Sequence, residues 1–195
     1  MLPFPDKRYS IIYADPAWKF NAWSTNGLGR SAEKHYHTMS LEEIKNLPIY
    51  DIADKDCILF MWAVDTMLPQ AFEVIRSWGF AFKTVGFTWV KTNKNSDTPF
   101  FGLGFWTRRN TEQCLLATKG NPKRISAAVP QVVVSKIREH SRKPDEVRER
   151  IVQLMGDLPR IELFARQRCD GWDAWGDELS KIKCDYYDRG TRRFL

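Results

Sequence analysis

Residues 57–63 read Cys-Ile-Leu-Phe-Met-Trp-Ala, seven apolar side chains without a polar interruption. A strand of this kind has no face to give to water, so it reads as buried on both sides, like the strands of a helix-flanked α/β sheet. Residues 10–14, 80–91, 111–118 and 160–165 form further strand-like runs. Helix signals lie between them. Ser40 and Glu43 make a capping box opening a short helix to Leu47 that Pro48 stops, and Asp65 is placed to cap a helix through Trp78 that Gly79 ends. After Pro144, a helix to about Met155 carries Val147, Ile151 and Leu154 on one face. Residues 125–136 fit either state, with Val132, Val133 and Val134 favouring a strand. A chain of 195 residues is expected to form one domain, 1–195.

The strand at 10–14 ends at Asp15, because Pro16 cannot donate to a sheet ladder. Asp15 therefore stands at a strand's carboxyl end, the edge at which open α/β sheets bind ligands. Asp15, Pro16, Ala17 and Trp18 offer a carboxylate, a backbone carbonyl and an aromatic face. Such a set suits a weak nucleophile like the amino group of adenine, whose lone pair is delocalised into the ring. Two acceptors, the Asp15 carboxylate and the Pro16 carbonyl, would favour a pyramidal nitrogen while Trp18 stacks on the base. As structure alone, the same residues are an acid-proline turn with a tryptophan filling the core.

Residues 19–38, with Asn21, Asn26, Gly27 and Gly29, form a loop too long for a simple connection and are expected to close over a site. A second such loop, 92–110, sets Lys91, Lys94, Arg108 and Arg109 in or beside a stretch with Trp106, Gly102 and Gly104. Cations for phosphates and flat faces for bases are what an unpaired or flipped nucleotide requires. The net charge of +6 suits the same polyanionic partner. Lys143 stands just before a helix N-terminus, where a cation and free N–H groups together suit a carboxylate.

Other classes are disfavoured. With 43% hydrophobic and 13% aromatic residues, the chain is not of the disordered type. Cys57, Cys114, Cys169 and Cys184 are too scattered for a disulfide or metal framework, and His35 and His37 lack companion ligands, so no metal is expected. No leader pattern or bilayer-length apolar run is seen, which points to no membrane and a reducing, cytoplasmic setting. The absence of a G-x-G-x-x-G stretch argues against a nicotinamide or flavin enzyme.

Five segments in order resemble one family over nearly the whole chain: Asp-Pro-Ala-Trp at 15–18, the basic aromatic loop, Arg-Lys-Pro-Asp-Glu at 142–146, Ile-Glu-Leu-Phe-Ala-Arg at 161–166 and Gly-Trp-Asp-Ala-Trp-Gly at 171–176. This is the MT-A family, which includes the catalytic subunits of eukaryotic messenger-RNA adenosine methyltransferases and many bacterial and phage adenine methyltransferases. The resemblance implies an α/β fold with a Rossmann-like doubly wound sheet in circularly permuted (β-class) order, the catalytic strand early and the cofactor strand late. It implies S-adenosylmethionine as cofactor and the exocyclic amino group of adenine as acceptor. DNA is favoured over RNA, because the chain resembles compact members without an appended RNA-binding domain.

Position by position, the family's Asp-Pro-Pro-Trp loop falls on Asp15, Pro16, Ala17 and Trp18, with Asp15 also able to meet the methionine amino group. The lysine that holds the methionine carboxylate falls on Lys143. Phe164 would pack near the cofactor, Arg166 would approach its ribose, and Asp177, where asparagine is common, is a candidate for the ribose hydroxyls. Trp18, Lys91, Arg108 and Arg109 are the expected nucleic-acid contacts. Ala17 replaces a proline, and Arg168 and Cys169 replace the His-Asn of the messenger-RNA enzymes. The family pairs active with inactive subunits, so a homo-oligomer or a paired subunit, including a catalytically inactive nucleic-acid-binding partner, stays open. Joint retention of Asp15, Trp18, Lys143 and Arg166 favours activity. In-line transfer from a sulfonium requires nitrogen and methyl carbon at roughly 3–3.5 Å, so the enzyme's work is orientation and electrostatics. Residues 180–195 have no assigned role.

Overall fold

The computed structural model describes residues 3–18, 38–104, 106–139, 142–177 and 179. Its strands are β1 (Tyr9–Ala14), β2 (Ala53–Ala63), β3 (Ala81–Thr92), β4 (Thr111–Lys119), β5 (Val132–Lys136), β6 (Arg160–Leu163) and β7 (Asp173–Trp175). The helices are α1 (Leu41–Lys45), α2 (Ile49–Ile52), α3 (Leu68–Ser77) and α4 (Glu146–Met155), with a 3-10 turn at Asp65–Met67.

The strands form a mixed sheet in the order β5-β3-β4-β2-β1-β6-β7. All neighbouring pairs are parallel except the two made by β4, which runs against both β2 and β3. From β1 the chain passes to β2 on one side and much later sets β6 on the other. The carboxyl ends of β1 and β6 therefore bound a topological switch point, where doubly wound sheets form a ligand crevice.

The apolar run in β2 explains the two-sided core. Cys57, Leu59, Met61 and Ala63 join one cluster, while Ile58, Phe60 and Trp62 join the other. The first is covered by α1, α2 and α3 through Ile44, Ile49, Ala71, Val74 and Ile75. The second is covered by α4 through Val147, Ile151 and Met155. Helices on both faces make this the Rossmann-like, doubly wound α/β arrangement expected, with the Asp15 strand first in the chain and its neighbour β6 late. No helix among the described residues is long and apolar enough to cross a membrane.

Several local expectations change in the folded chain. Ser40 and Glu43 do form a reciprocal capping box on α1. Asp65 does not cap a helix: it lies inside the 3-10 turn, and α3 starts at Leu68 with a proline in its first turn. Pro69 suits that place because a first-turn N–H has no helical acceptor to lose. Of residues 125–136 only Val132–Lys136 is a strand, at the sheet edge, with Val133 buried and its neighbours outward. β3 lies second from the edge, and residues 81–84 are exposed. β6 stops at Leu163 because Phe164 takes a left-handed backbone, φ +59°. The expected loop at 19–38, His35 and His37, and the segment 180–195 lie almost wholly outside the described residues.

Candidate active site

Four charged side chains from four segments meet at the sheet's carboxyl edge. Asp15 follows β1, Lys91 is near the end of β3, and Lys143 precedes α4. Glu112, the second residue of β4, reaches the same edge only because β4 is antiparallel. Lys143 Nζ lies 2.9 Å from Asp15 Oδ2 and 3.6 Å from Glu112 Oε2, and Lys91 Nζ lies 3.4 Å from Glu112 Oε1. The result is an alternating row of charges: acid, base, acid, base. Aromatic walls back it, with the Lys143 ammonium 5.7 Å from the Trp62 ring centre and the Lys91 ammonium 4.7 Å from that of Trp89. Trp62 is fixed from behind by donating its indole N–H to the Tyr13 hydroxyl at 2.6 Å.

The row is largely desolvated: the side chain of Glu112 is 5% exposed and that of Lys143 11%. Burial disfavours the Lys143 ammonium, but the Asp15 and Glu112 carboxylates outweigh it and raise the lysine above its ordinary pKa. Burial likewise opposes the Glu112 charge, yet Lys143, Lys91 and Arg109 bring that carboxyl below the ordinary glutamate value. At Lys91 desolvation wins over Glu112 and lowers the pKa. Glu112 Oε2 is buried without a hydrogen-bond partner among the described residues. The row is therefore held by charge more than by saturated hydrogen bonding.

A second ionic cluster anchors α4 beside it. Arg148 donates from Nε and Nη2 to the two Glu162 oxygens, each at 2.7 Å, and from Nη1 to Asp145 at 2.8 Å. Arg142 and Arg138 also donate to Asp145, and Arg138 donates to the Lys143 carbonyl. That contact ties the backbone of Lys143 to the anchored helix start.

The residues singled out in the sequence divide into two groups. Asp15, Pro16 and Lys143 come together, and Arg166 lies close enough to Lys143 to oppose its charge. The Pro16 carbonyl accepts the Trp18 N–H at 2.8 Å, its one backbone hydrogen bond among the described residues. Phe164 sits just past β6 with its ring edge-on to Trp175, centres 5.6 Å apart. Gly176 lets β7 close against it: a Cβ there would lie 2.4 Å from the Ala165 carbonyl oxygen. This close approach carries exposed Asp177 to the β6 end.

Two expected contacts have other partners in the folded chain. Trp18 is 5% exposed, packed in the core with its indole N–H toward the Trp62 carbonyl at 3.4 Å. Lys91 is paired with Glu112 and largely buried; Arg108 is exposed and Arg109 half-buried. Glu112 was not singled out in the sequence. A carboxylate heading the otherwise apolar run 114–117 is the one signal that could have found it.

The MT-A70 family profile matches residues 9–178. The chain is 34% identical to the Type II methyltransferase M.MunI of Mycoplasma sp, over 95% of this chain and 84% of that protein. It is 29% identical to the N(6)-adenosine-methyltransferase catalytic subunit METTL3 of Homo sapiens, over 90% of this chain and 29% of that protein. To the N(6)-adenosine-methyltransferase MT-A70-like protein of Arabidopsis thaliana it is 29% identical, over 90% of this chain and 24% of that protein.

Proposed function

Because the chain belongs to the MT-A70 family of adenine methyltransferases, we propose that it transfers a methyl group from S-adenosylmethionine to the exocyclic amino group of adenine in DNA. The observation that carries this reading is the largely buried pair of Asp15 and Lys143 at the switch point, 2.9 Å apart and backed by Glu112. The donor set fits the cofactor. Opposite charges side by side complement the ammonium and carboxylate of an amino-acid head group. Lys143 would hold the carboxylate, with Phe164, Arg166 and Asp177 around the adenosine portion. When bound, S-adenosylmethionine supplies an electrophilic methyl group.

The chain's own residues do the rest. A lysine ammonium engaged by a ligand carboxylate frees Asp15 to accept an N–H from the adenine amino group. The remaining lone pair of the Pro16 carbonyl accepts the other N–H. As that nitrogen attacks the methyl carbon and the C–S bond breaks toward sulfur, the Asp15 carboxylate would offset the positive charge on nitrogen and accept its proton, leaving a neutral methylated amine. Asp15 and Glu112 together favour the protonated Lys143 against burial, which preserves the cation that orients the head group. Arg108 and Arg109 take the phosphates.

The preference for DNA rests on the likeness to the Type II methyltransferase, whose length the match spans far more completely than it spans the adenosine methyltransferases. Incubation with labelled S-adenosylmethionine and matched DNA and RNA oligonucleotides, followed by digestion to nucleosides, tests it. Label is expected in N6-methyldeoxyadenosine. Label in adenosine alone would move the substrate to RNA, and label in neither would make the chain an inactive partner subunit.

A further inference from the structure

We propose that Trp106 is a wedge that enters a DNA duplex at the place vacated by the target adenine. This rests on the adenine-in-DNA reading and deepens it. Asp15 is three-quarters buried at the side chain, so an adenine inside a duplex reaches it only by leaving the base stack. Something must then fill or hold open the gap.

The loop between β3 and β4 is built to do so. It continues the sheet edge as a laddered hairpin: the Lys91 N–H donates to the Asn110 carbonyl at 2.8 Å, the Phe100 N–H to the Lys91 carbonyl at 2.9 Å, and the Gly102 N–H to the Arg109 carbonyl at 2.9 Å. Its tip folds so tightly that a Cβ on Gly104 would sit 1.6 Å from the Thr107 carbonyl oxygen. On this tip Trp106 is 93% exposed, with Leu103 and Phe101 also exposed. Large apolar groups displayed together mark a surface that binds something. Two facts favour nucleic acid as the occupant. Residues 98–111 contain no acidic side chain, while Arg108 and Arg109 follow the ring two and three residues on. The hairpin also springs from Lys91 and Glu112, the far end of the charge row that starts at Asp15. Apolar wedges flanked by cations are how minor-groove and architectural proteins unstack a base step.

The test uses the full chain and Trp106→Ala and Trp106→Phe variants, with one plasmid offered as duplex and as heat-denatured single strands. Trp106→Ala should lower the duplex-to-single-strand methylation ratio by about tenfold or more, since unstacking is the cost a wedge offsets. Trp106→Phe should restore the ratio, and a mismatch opposite the target adenine, in a duplex oligonucleotide carrying a methylated site, should rescue Trp106→Ala. An unchanged ratio overturns the wedge, whether both activities hold or fall together. So does a variant whose only change is loss of self-association in sedimentation, which would make the tip a contact between copies. A wild-type chain that methylates only single strands also overturns the wedge while sustaining the adenine reading. One that methylates no nucleic acid defeats both.

Discussion

Two ionic clusters lie within reach of the start of α4, and they are built to opposite rules. Around Arg148, the guanidinium meets both oxygens of Glu162 and one of Asp145, all at 2.7–2.8 Å. Around Lys143, contacts to Glu112 are longer, 3.4–3.6 Å for the two lysines, and one Glu112 oxygen has no hydrogen-bond partner among the described residues. The bidentate Arg148–Glu162 pair is satisfied at each of these contacts, although Arg142 Nε at the cluster's margin is buried without a hydrogen-bond partner among the described residues. A buried carboxylate oxygen with no hydrogen-bond partner among the described residues keeps capacity for a donor. The difference separates scaffold from site more clearly than either burial or charge, which both clusters share.

The comparison breaks most visibly at Arg148. Arg148→Ala leaves Glu162 buried without its described partner and should lower unfolding stability by about 3–5 kcal/mol, read from the denaturant midpoint. A loss below about 1 kcal/mol would erase the scaffold half of the contrast. Asp15→Asn should do the reverse. It keeps size and fold but replaces an acceptor oxygen with a donor, so single-turnover methylation at saturating cofactor should fall about 10²–10³-fold. Wild-type turnover by this variant would reduce Asp15 to a turn residue.

Lys143→Ala should weaken S-adenosylmethionine binding by about 1.5–3 kcal/mol in calorimetry, the worth of a charge-assisted hydrogen bond. Unchanged affinity would remove Lys143 from the cofactor site. A smaller effect sharpens the boundary of the row: Arg108→Gln and Arg109→Gln should each flatten the salt dependence of nucleic-acid binding by a slope of about one. Lys91→Gln should leave that slope alone, because its charge is already committed to Glu112.

The smallest effect concerns pH. The Glu112 carboxyl is held below its ordinary value, so its charge contributes stability that is complete above the ordinary glutamate pKa and lost as pH falls through the lower, folded value. Glu112→Gln should flatten this acid decline in melting temperature, and an unaltered acid limb would show that the row adds nothing to folding.

The residues of β1, β2, β4 and α4 were legible before folding because their signals are local. An apolar run, a proline that ends a strand and a capping box each act over a few residues. The position of Asp15 at a carboxyl edge followed from Pro16 alone, and the resemblance placed Lys143 beside it before any distance was known. β7 was not legible, since three residues carry no periodic pattern and this strand exists only through pairing with β6. Trp18 was legible as an aromatic next to an acid, but whether it faces the core or a ligand is settled by packing against Trp62.

Sequence by itself determined where β1, β2, β4 and α4 lie, and that an acid stands where the first strand stops. Tertiary structure alone decided that Glu112 belongs to the site. A parallel β4 would have put its first residues at the opposite edge of the sheet, far from Lys143; the antiparallel insertion between β2 and β3 turns them to the carboxyl side. Strand direction is a property of how the whole sheet is assembled, and a buried charge finds its partner across that assembly rather than along the chain.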